Sequence, residues 1–430
     1  MKSRIQDCEW LRTGRLAGIS FIALLSLTDA RMCRAATPDY VMENETVPDS
    51  VENLPGNMDY GFTRETRPEH VFTQVQDEIE EKLPPLPDFF RDTDLKLRVR
   101  SYYFDRNNAS ASDNLAWALG GWVDYLSGWA FGRFRLGATW YTLQKLYGPK
   151  DKDGTLLLKP DQSGFDVLGQ AFAEVKLGEG TMVRVFRQAF DFPYLNRRDD
   201  RMVPVTYEAY VIEHKLVSPV DWVVGHVRKI KPRDSHRFRS MSEAAGADGT
   251  DDGLTMAGLH YRMNEHIDIG LIEHYAWNVM NTLYVEGNAV IRAEKELPLR
   301  FSLQYTDQRS IGSAWLGYFQ TRHLGTQLSV SWQGLIVSVA GSWTDENRGI
   351  FKPYGGSPSY LSSMIADFDR AGESAWGIAI SYDLQDLDWL NGLSLFILYA
   401  RGYPSTDAPD QAEWDVTLDF RPTRGKLEGL

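Results

Sequence analysis

The sequence is ruled by a period of two. From residue 95 onward, segments of about ten residues alternate apolar with polar side chains. In 95–104, Leu95, Leu97, Val99 and Tyr103 share one parity, and Lys96, Arg98, Arg100 and Tyr102 share the other. In 299–306, Leu299, Phe301, Leu303 and Tyr305 alternate with Arg300, Ser302, Gln304 and Thr306. Near the end, Trp414, Val416, Leu418 and Phe420 alternate with Glu413, Asp415, Thr417 and Asp419. Successive side chains of a strand point to opposite faces, so each segment reads as a strand with one apolar and one polar face.

The pattern predicts about 16 strands, near 95–104, 115–126, 131–142, 165–176, 181–188, 206–216, 220–230, 254–263, 267–276, 283–293, 299–308, 320–332, 335–343, 375–383, 393–402 and 413–421. Their connections alternate short and long. Short ones include 127–130, 177–180, 264–266 and 333–334; long ones include 143–164, 189–205, 231–253 and 344–374. A soluble sandwich has no need of that alternation. A transmembrane antiparallel up-and-down β-barrel does, with short periplasmic turns and long outer loops. Roughly 9–11 residues suffice for a tilted strand to cross a bilayer. Only a closed barrel pairs every backbone group in lipid. Trp140, Tyr141, Trp332 and Trp343 lie near strand ends, as interfacial girdles require.

Energy sets the facing. An outward Lys or Arg costs roughly 2–4 kcal/mol near the midplane, so Lys96, Arg98 and Arg100 belong in the lumen. The same parity sends Arg133 and Arg135 inward, and Arg300 on a later strand. The last strand turns Glu413, Asp415 and Asp419 inward. A basic arc facing an acidic one sets a field across the pore. The long connection at 189–205 carries Phe190, Phe192 and Tyr194, then Arg197, Arg198, Asp199, Asp200 and Arg201, and ends near Pro204. Its aromatic and charged content suits a loop folded into the pore as a constriction.

The N-terminus is of another kind. Lys2, Arg4, Arg12 and Arg15 precede the apolar stretch 16–27, and small residues Ala30, Ala35 and Ala36 follow. That order reads as a secretory leader within 1–36, cleaved after 30 or 36. Cleavage after Ala36 would remove both cysteines, Cys8 and Cys33, and stability would then not come from disulfides. Between 37 and 94 there are 15 acidic and 4 basic residues, most of the net charge of −13. The segment 37–93 reads as an acidic periplasmic stretch, disordered or acting as a plug. Val71, Val75, Ile79 and Leu83 allow a short amphipathic helix within it. Residues 94–430 form the barrel.

Six blocks then carry a resemblance: LRVRSYYFDR (97–106), GTLLLKP (154–160), DDRMVPVTYE (199–208), SMSEAAGAD (240–248), YTDQRSIG (305–312) and ADFDRAGESAW (366–376). Together they resemble the OprD family of outer-membrane porins, from about residue 88 to the end. The resemblance implies an 18-stranded, selective channel for carboxylate-bearing solutes such as amino acids, small peptides or aromatic acids. It implies a basic ladder, here Arg98, Arg100, Arg133, Arg135 and Arg300, and a constriction at 189–205. It also implies a final aromatic strand. Leu427-Glu428-Gly429-Leu430 repeats the turn at Leu390-Asn391-Gly392-Leu393, so a further hairpin is expected beyond Leu430.

Passive diffusion of small carboxylates is therefore the expected function, with outer-membrane lipid and the membrane's assembly machinery as partners and no nucleic acid. Asp200, Asp415 or Asp419 would attract an ammonium group on the solute. A structural or adhesive barrel with a plugged lumen is the alternative. An enzyme would need a histidine beside a nucleophile. None of the eight histidines sits in such a motif, and His226, His260 and His274 read as lumen or rim residues. No cofactor is implied, because no zinc, haem or nucleotide motif appears.

Overall fold

A computed structural model describes residues 25–32 and 87–421, apart from 110, 216–218, 294–296 and 385–391. Its elements in chain order are β1 (Leu25–Met32), α1 (Asp88–Arg91), β2 (Asp94–Arg106), β3 (Asn114–Leu126), β4 (Phe134–Tyr147), β5 (Phe165–Gly178), β6 (Thr181–Gln188), β7 (Asp191–Phe192), β8 (Leu195–Asn196), β9 (Thr206–His214), β10 (Val220–Lys231), β11 (Arg239–Ser240), α2 (Met241–Ala244), β12 (Leu254–Asn264), β13 (Ile267–Ala276), β14 (Met280–Ala293), β15 (Leu297–Ser310), β16 (Gln320–Trp332), β17 (Leu335–Thr344), β18 (Glu373–Asp383), β19 (Leu393–Pro404) and β20 (Gln411–Phe420), with a 3-10 turn at Lys150–Lys152. Setting aside the two-residue pieces, sixteen strands run from β2 to β20, one for each expected segment.

Each of the sixteen is antiparallel to the next in sequence. Among the described residues β20 pairs only with β19, and β1 lies antiparallel along the other edge of β2. Residues 25–32 were expected within the leader. The possible helix at 71–83, and most of the acidic stretch 37–93, fall outside the described residues.

The wall is inside-out relative to a soluble sheet. On β15, Ser302, Gln304, Thr306 and Gln308 are buried while Phe301 and Leu303 are exposed. Leu97, Trp140, Leu271, Leu328 and Trp332 are likewise exposed on their strands. Exposed apolar and buried polar parities fit a strand between lipid and a polar interior. The turn at Gln333 and Gly334 has positive φ at both residues, as a tight two-residue hairpin requires.

The four longest connections, 148–164, 189–205, 232–253 and 345–372, all leave from one end of the wall. The connection 277–279, at that same end, is short. The buried apolar residues gather where long loops fold back onto the inner face. One cluster joins Phe190, Tyr194 and Leu195 to Tyr207, Met256 and Tyr354. A second joins Leu157 and Met202 to Tyr102, Trp122 and Tyr141. A third joins Tyr360, Leu361 and Phe368 to Ala375 and Ala400. The core of this protein is therefore the packing of its loops within the lumen.

Candidate functional site: a constricted and charged lumen

The basic wall begins on β2. Lys96 pairs with Asp94 at 3.1 Å. The guanidiniums of Arg98 and Arg100 each lie 5.0 Å from the ring of Trp122 on β3. Arg100 donates to Asp199 at 2.7 Å and to the Arg201 carbonyl, so the ladder grips the loop 189–205. Further round the wall, Arg135 and Arg184 share the fully buried carboxylate of Glu174, and Arg184 Nε donates to it at 2.6 Å. Arg135 and Lys176 both lie on the face of Trp129, at 4.5 and 3.8 Å. Arg300 is half-buried on β15, and its Nε has no hydrogen-bond partner among the described residues. Arg133 departs from expectation. Strand β4 starts only at Phe134, and Arg133 sits exposed in the preceding turn, because Ala130 and Phe134 close a bridge there.

The loop 189–205 folds inward and is bonded at nearly every step. Tyr194, at φ +60°, sets its hydroxyl 2.8 Å from Thr306 on the far strand β15. Arg197 pairs with Asp191. Arg198 packs against Gly356. Asp200 is held by Arg201 at 3.3 Å and by Arg233. Burial alone would raise the Asp200 carboxyl, but the charges of Arg233, Arg201 and Arg198 hold it below the usual range. Arg201 also covers Phe104 at 5.0 Å. The carbonyl of Pro204 accepts a bond of 2.9 Å from the buried ammonium of Lys231.

A second loop shares the lumen. Residues 345–372 fold inward and meet the first loop through Asn196 and Gly356. Gly356 N–H donates to Asn196 Oδ1 at 2.8 Å, and Asn196 Nδ2 donates back to the Gly356 carbonyl at 3.2 Å. The Tyr207 hydroxyl lies 2.8 Å from the Asn196 carbonyl and 2.5 Å from that of Tyr354, tying both loops to β9. A Cβ on Gly355 would fall 2.7 Å from the Asn196 nitrogen, so the approach requires glycine.

This loop changes the reading of the last strand. Glu413 and Asp415 do face inward, yet their carboxylates are taken. Glu413 accepts the N–H groups of Ile365 and Ala366, both at 2.8 Å, and Asp415 accepts that of Met364 at 2.9 Å. They anchor the second loop. Asp419 pairs with Arg421 at 2.7 Å. Lumen carboxylates stand instead on β10, β13 and β14. Asp221 pairs with Arg262 at 2.5 Å, Asp268 lies 3.2 Å from His260, and Glu286 accepts from Tyr284 and Asn288.

Several of these residues escaped the sequence reading. Arg184 and Glu174 follow the same alternation in 181–188 and 165–178 and were within reach of it. The second loop had a signal too, in Phe351, Tyr354, Tyr360 and Phe368. Its contact with the first loop is long-range and leaves no local pattern.

A two-loop constriction with a cationic wall can now be set beside known proteins. A family profile described as outer membrane porin, OprD family, matches residues 87–429. The chain belongs to the OprD family. Its members are outer-membrane porins rather than enzymes. Among curated proteins, Porin D of Pseudomonas aeruginosa is 24% identical over 331 residues, covering 73% of this chain and 74% of its own length. Among solved structures, OpdK of Pseudomonas aeruginosa with vanillate superposes with a TM-score of 0.72 at 22% identity, covering 79% of this chain and 92% of that one. OccK2 (OpdF) of Pseudomonas aeruginosa in complex with glucuronate gives 0.68 at 19% identity, covering 79% and 90%. The fold of this OprD-family chain is thus a transmembrane antiparallel β-barrel.

Proposed function

We propose that this porin passes small carboxylate-bearing solutes by passive diffusion. The observation that carries the reading is the row Arg98, Arg100, Arg135 and Arg184 along the inner faces of β2, β4 and β6. Guanidinium forks match carboxylates geometrically. Arg100 and Arg135 already hold internal carboxylates, so a solute exchanges with a bond that exists rather than filling an empty one. Such exchange keeps each stop shallow, and a solute must leave as well as enter. Vanillate and glucuronate, bound by the two relatives, are both carboxylates, which supports the same chemistry here. Lys96, Arg133 at the turn and Arg300 extend the path, and Tyr194, Arg197, Arg198, Asp200, Arg201 and Pro204 shape its neck.

We infer further that residues 1–36 direct export and that Asp200 screens solutes by charge. The test is single-channel recording in planar bilayers with Arg98→Ala/Arg100→Ala. Aromatic and sugar carboxylates should block and permeate the wild type better than neutral sugars of equal size. Loss of that preference in the variant supports the ladder. Its survival unchanged would falsify the ladder as the selectivity element.

A further inference from the structure

The outward face of the wall changes chemistry near the outer ends of β6, β9 and β10. Tyr210 and Val224 are exposed on its apolar part. Two to four residues further along the strands, the same face is charged. Arg187, Glu208 and Lys229 are register partners across these three strands, and Ala171 of β5 continues the line. Arg187 Nε donates to Glu208 at 3.1 Å, and its guanidinium lies 4.3 Å from the ring of Phe238. Arg228 is exposed in the register shift between Val227 and Lys229. The chain then returns as β11 beside β10 and brings Phe238 over Arg187, while Arg239 pairs with the buried Ile230 and so belongs to the inner face. Arg228 and Lys229 make no ion pair among the described residues.

The height of this patch follows from cost. An outward arginine is expensive at the bilayer centre and nearly free at its edge. Three outward cations, Arg187, Arg228 and Lys229, place this level among the lipid headgroups. An aromatic pair lies at the outer end of β13. Trp277 packs 4.9 Å from Tyr275, and its Nε1 donates to Thr255 at 3.0 Å. His226, on β10, shares that hydroxyl at 3.1 Å. Trp and Tyr mark the membrane–water boundary.

We propose that this rim binds the phosphorylated headgroup of an anionic lipid in the outer leaflet, whose acyl chains lie against Tyr210 and Val224. Arginine forks hold phosphate oxygens in pairs. A soluble anion would use only the charges. An amphiphile uses the charges and the apolar face directly beside them, and that adjacency favours the lipid. The site is on the outer face, so it stands or falls separately from the pore.

The test uses the folded full chain in neutral detergent, with lipid A and inorganic phosphate as probes. Lipid binding is read by native mass spectrometry. Arg228→Gln/Lys229→Gln should bind lipid A at least about tenfold more weakly, with carboxylate conductance unchanged. If that variant does not fold, Arg228→Gln alone should still lose about fivefold. Undiminished lipid binding by the variants overturns the proposal. So does inorganic phosphate that displaces lipid A from the wild type at comparable concentration, because the site would then belong to a soluble anion.

Discussion

Two carboxylates in the lumen show how burial and partners decide a residue's part. Glu174 is fully buried between Arg135 and Arg184, so its charge is spent on positioning two cations. Glu174→Gln should leave both guanidiniums uncompensated. Because they are part-exposed to the lumen, the cost should be about 1–3 kcal/mol, below that of a fully buried orphan. The released cations should raise anion over cation permeability, read as a shift in reversal potential under a salt gradient. Asp369, in the second loop, behaves differently. Burial pushes its carboxyl up to about 6 from 3.8, against the pull of Lys352 and with the push of Asp367. The fold therefore favours its protonated form. The stability it contributes is complete below about pH 3.8 and is lost as pH rises through about 6. Lys352 keeps Asp367 at 3.0 Å, and that carboxyl is held below its usual range, so the latch itself survives protonation of Asp369. Asp369→Asn should flatten the pH dependence of the gel heat-modification midpoint between about pH 4 and 6. A slope equal to the wild type would place the titration elsewhere.

The strands were legible and the loops only half so. Alternation is a local signal, and it located all sixteen strands from β2 onward, because a lipid face admits so few polar residues. Arg133 was misplaced because parity continues through a turn while the strand does not. Glu413 and Asp415 were correctly faced inward, but their partners, the N–H groups at 364–366, are far away in sequence. Tyr207 and Gly355 follow the same logic at the junction of the two loops. Tyr207→Phe removes one hydroxyl between two carbonyls and should cost about 1 kcal/mol. Its clearer mark is mobility: open-channel noise should rise as the loops part, with mean conductance little changed. Gly355→Val places a branched side chain where a single Cβ already meets backbone at 2.7 Å. It should force the loops apart and raise conductance. A Gly355→Val channel indistinguishable from the wild type in planar bilayers would show that the loop junction does not set the neck.

Across the whole molecule the lumen's charge is uneven. Most of its cations gather on β2 to β6, with Arg300 apart on β15, and Asp221, Asp268 and Glu286 stand on β10, β13 and β14. Some of this charge is neutralised in place, as Asp221 is by Arg262 and Arg135 by Glu174. What reaches a passing solute is the remainder, and it acts through water-filled space. Such a field is screened over about 10 Å at 0.1 M salt and about 3 Å at 1 M. Anion preference should therefore be large at low salt and collapse toward unity at molar salt. Asp268→Asn/Glu286→Gln should strengthen anion preference at 0.1 M and leave 1 M behaviour unchanged. Arg98→Ala/Arg100→Ala should weaken it at 0.1 M. Selectivity read from reversal potentials at both salt concentrations separates field from fit. If preference persisted at 1 M, direct guanidinium contact at the neck would outweigh the long-range field, and the two carboxylates opposite the ladder would have no part in it.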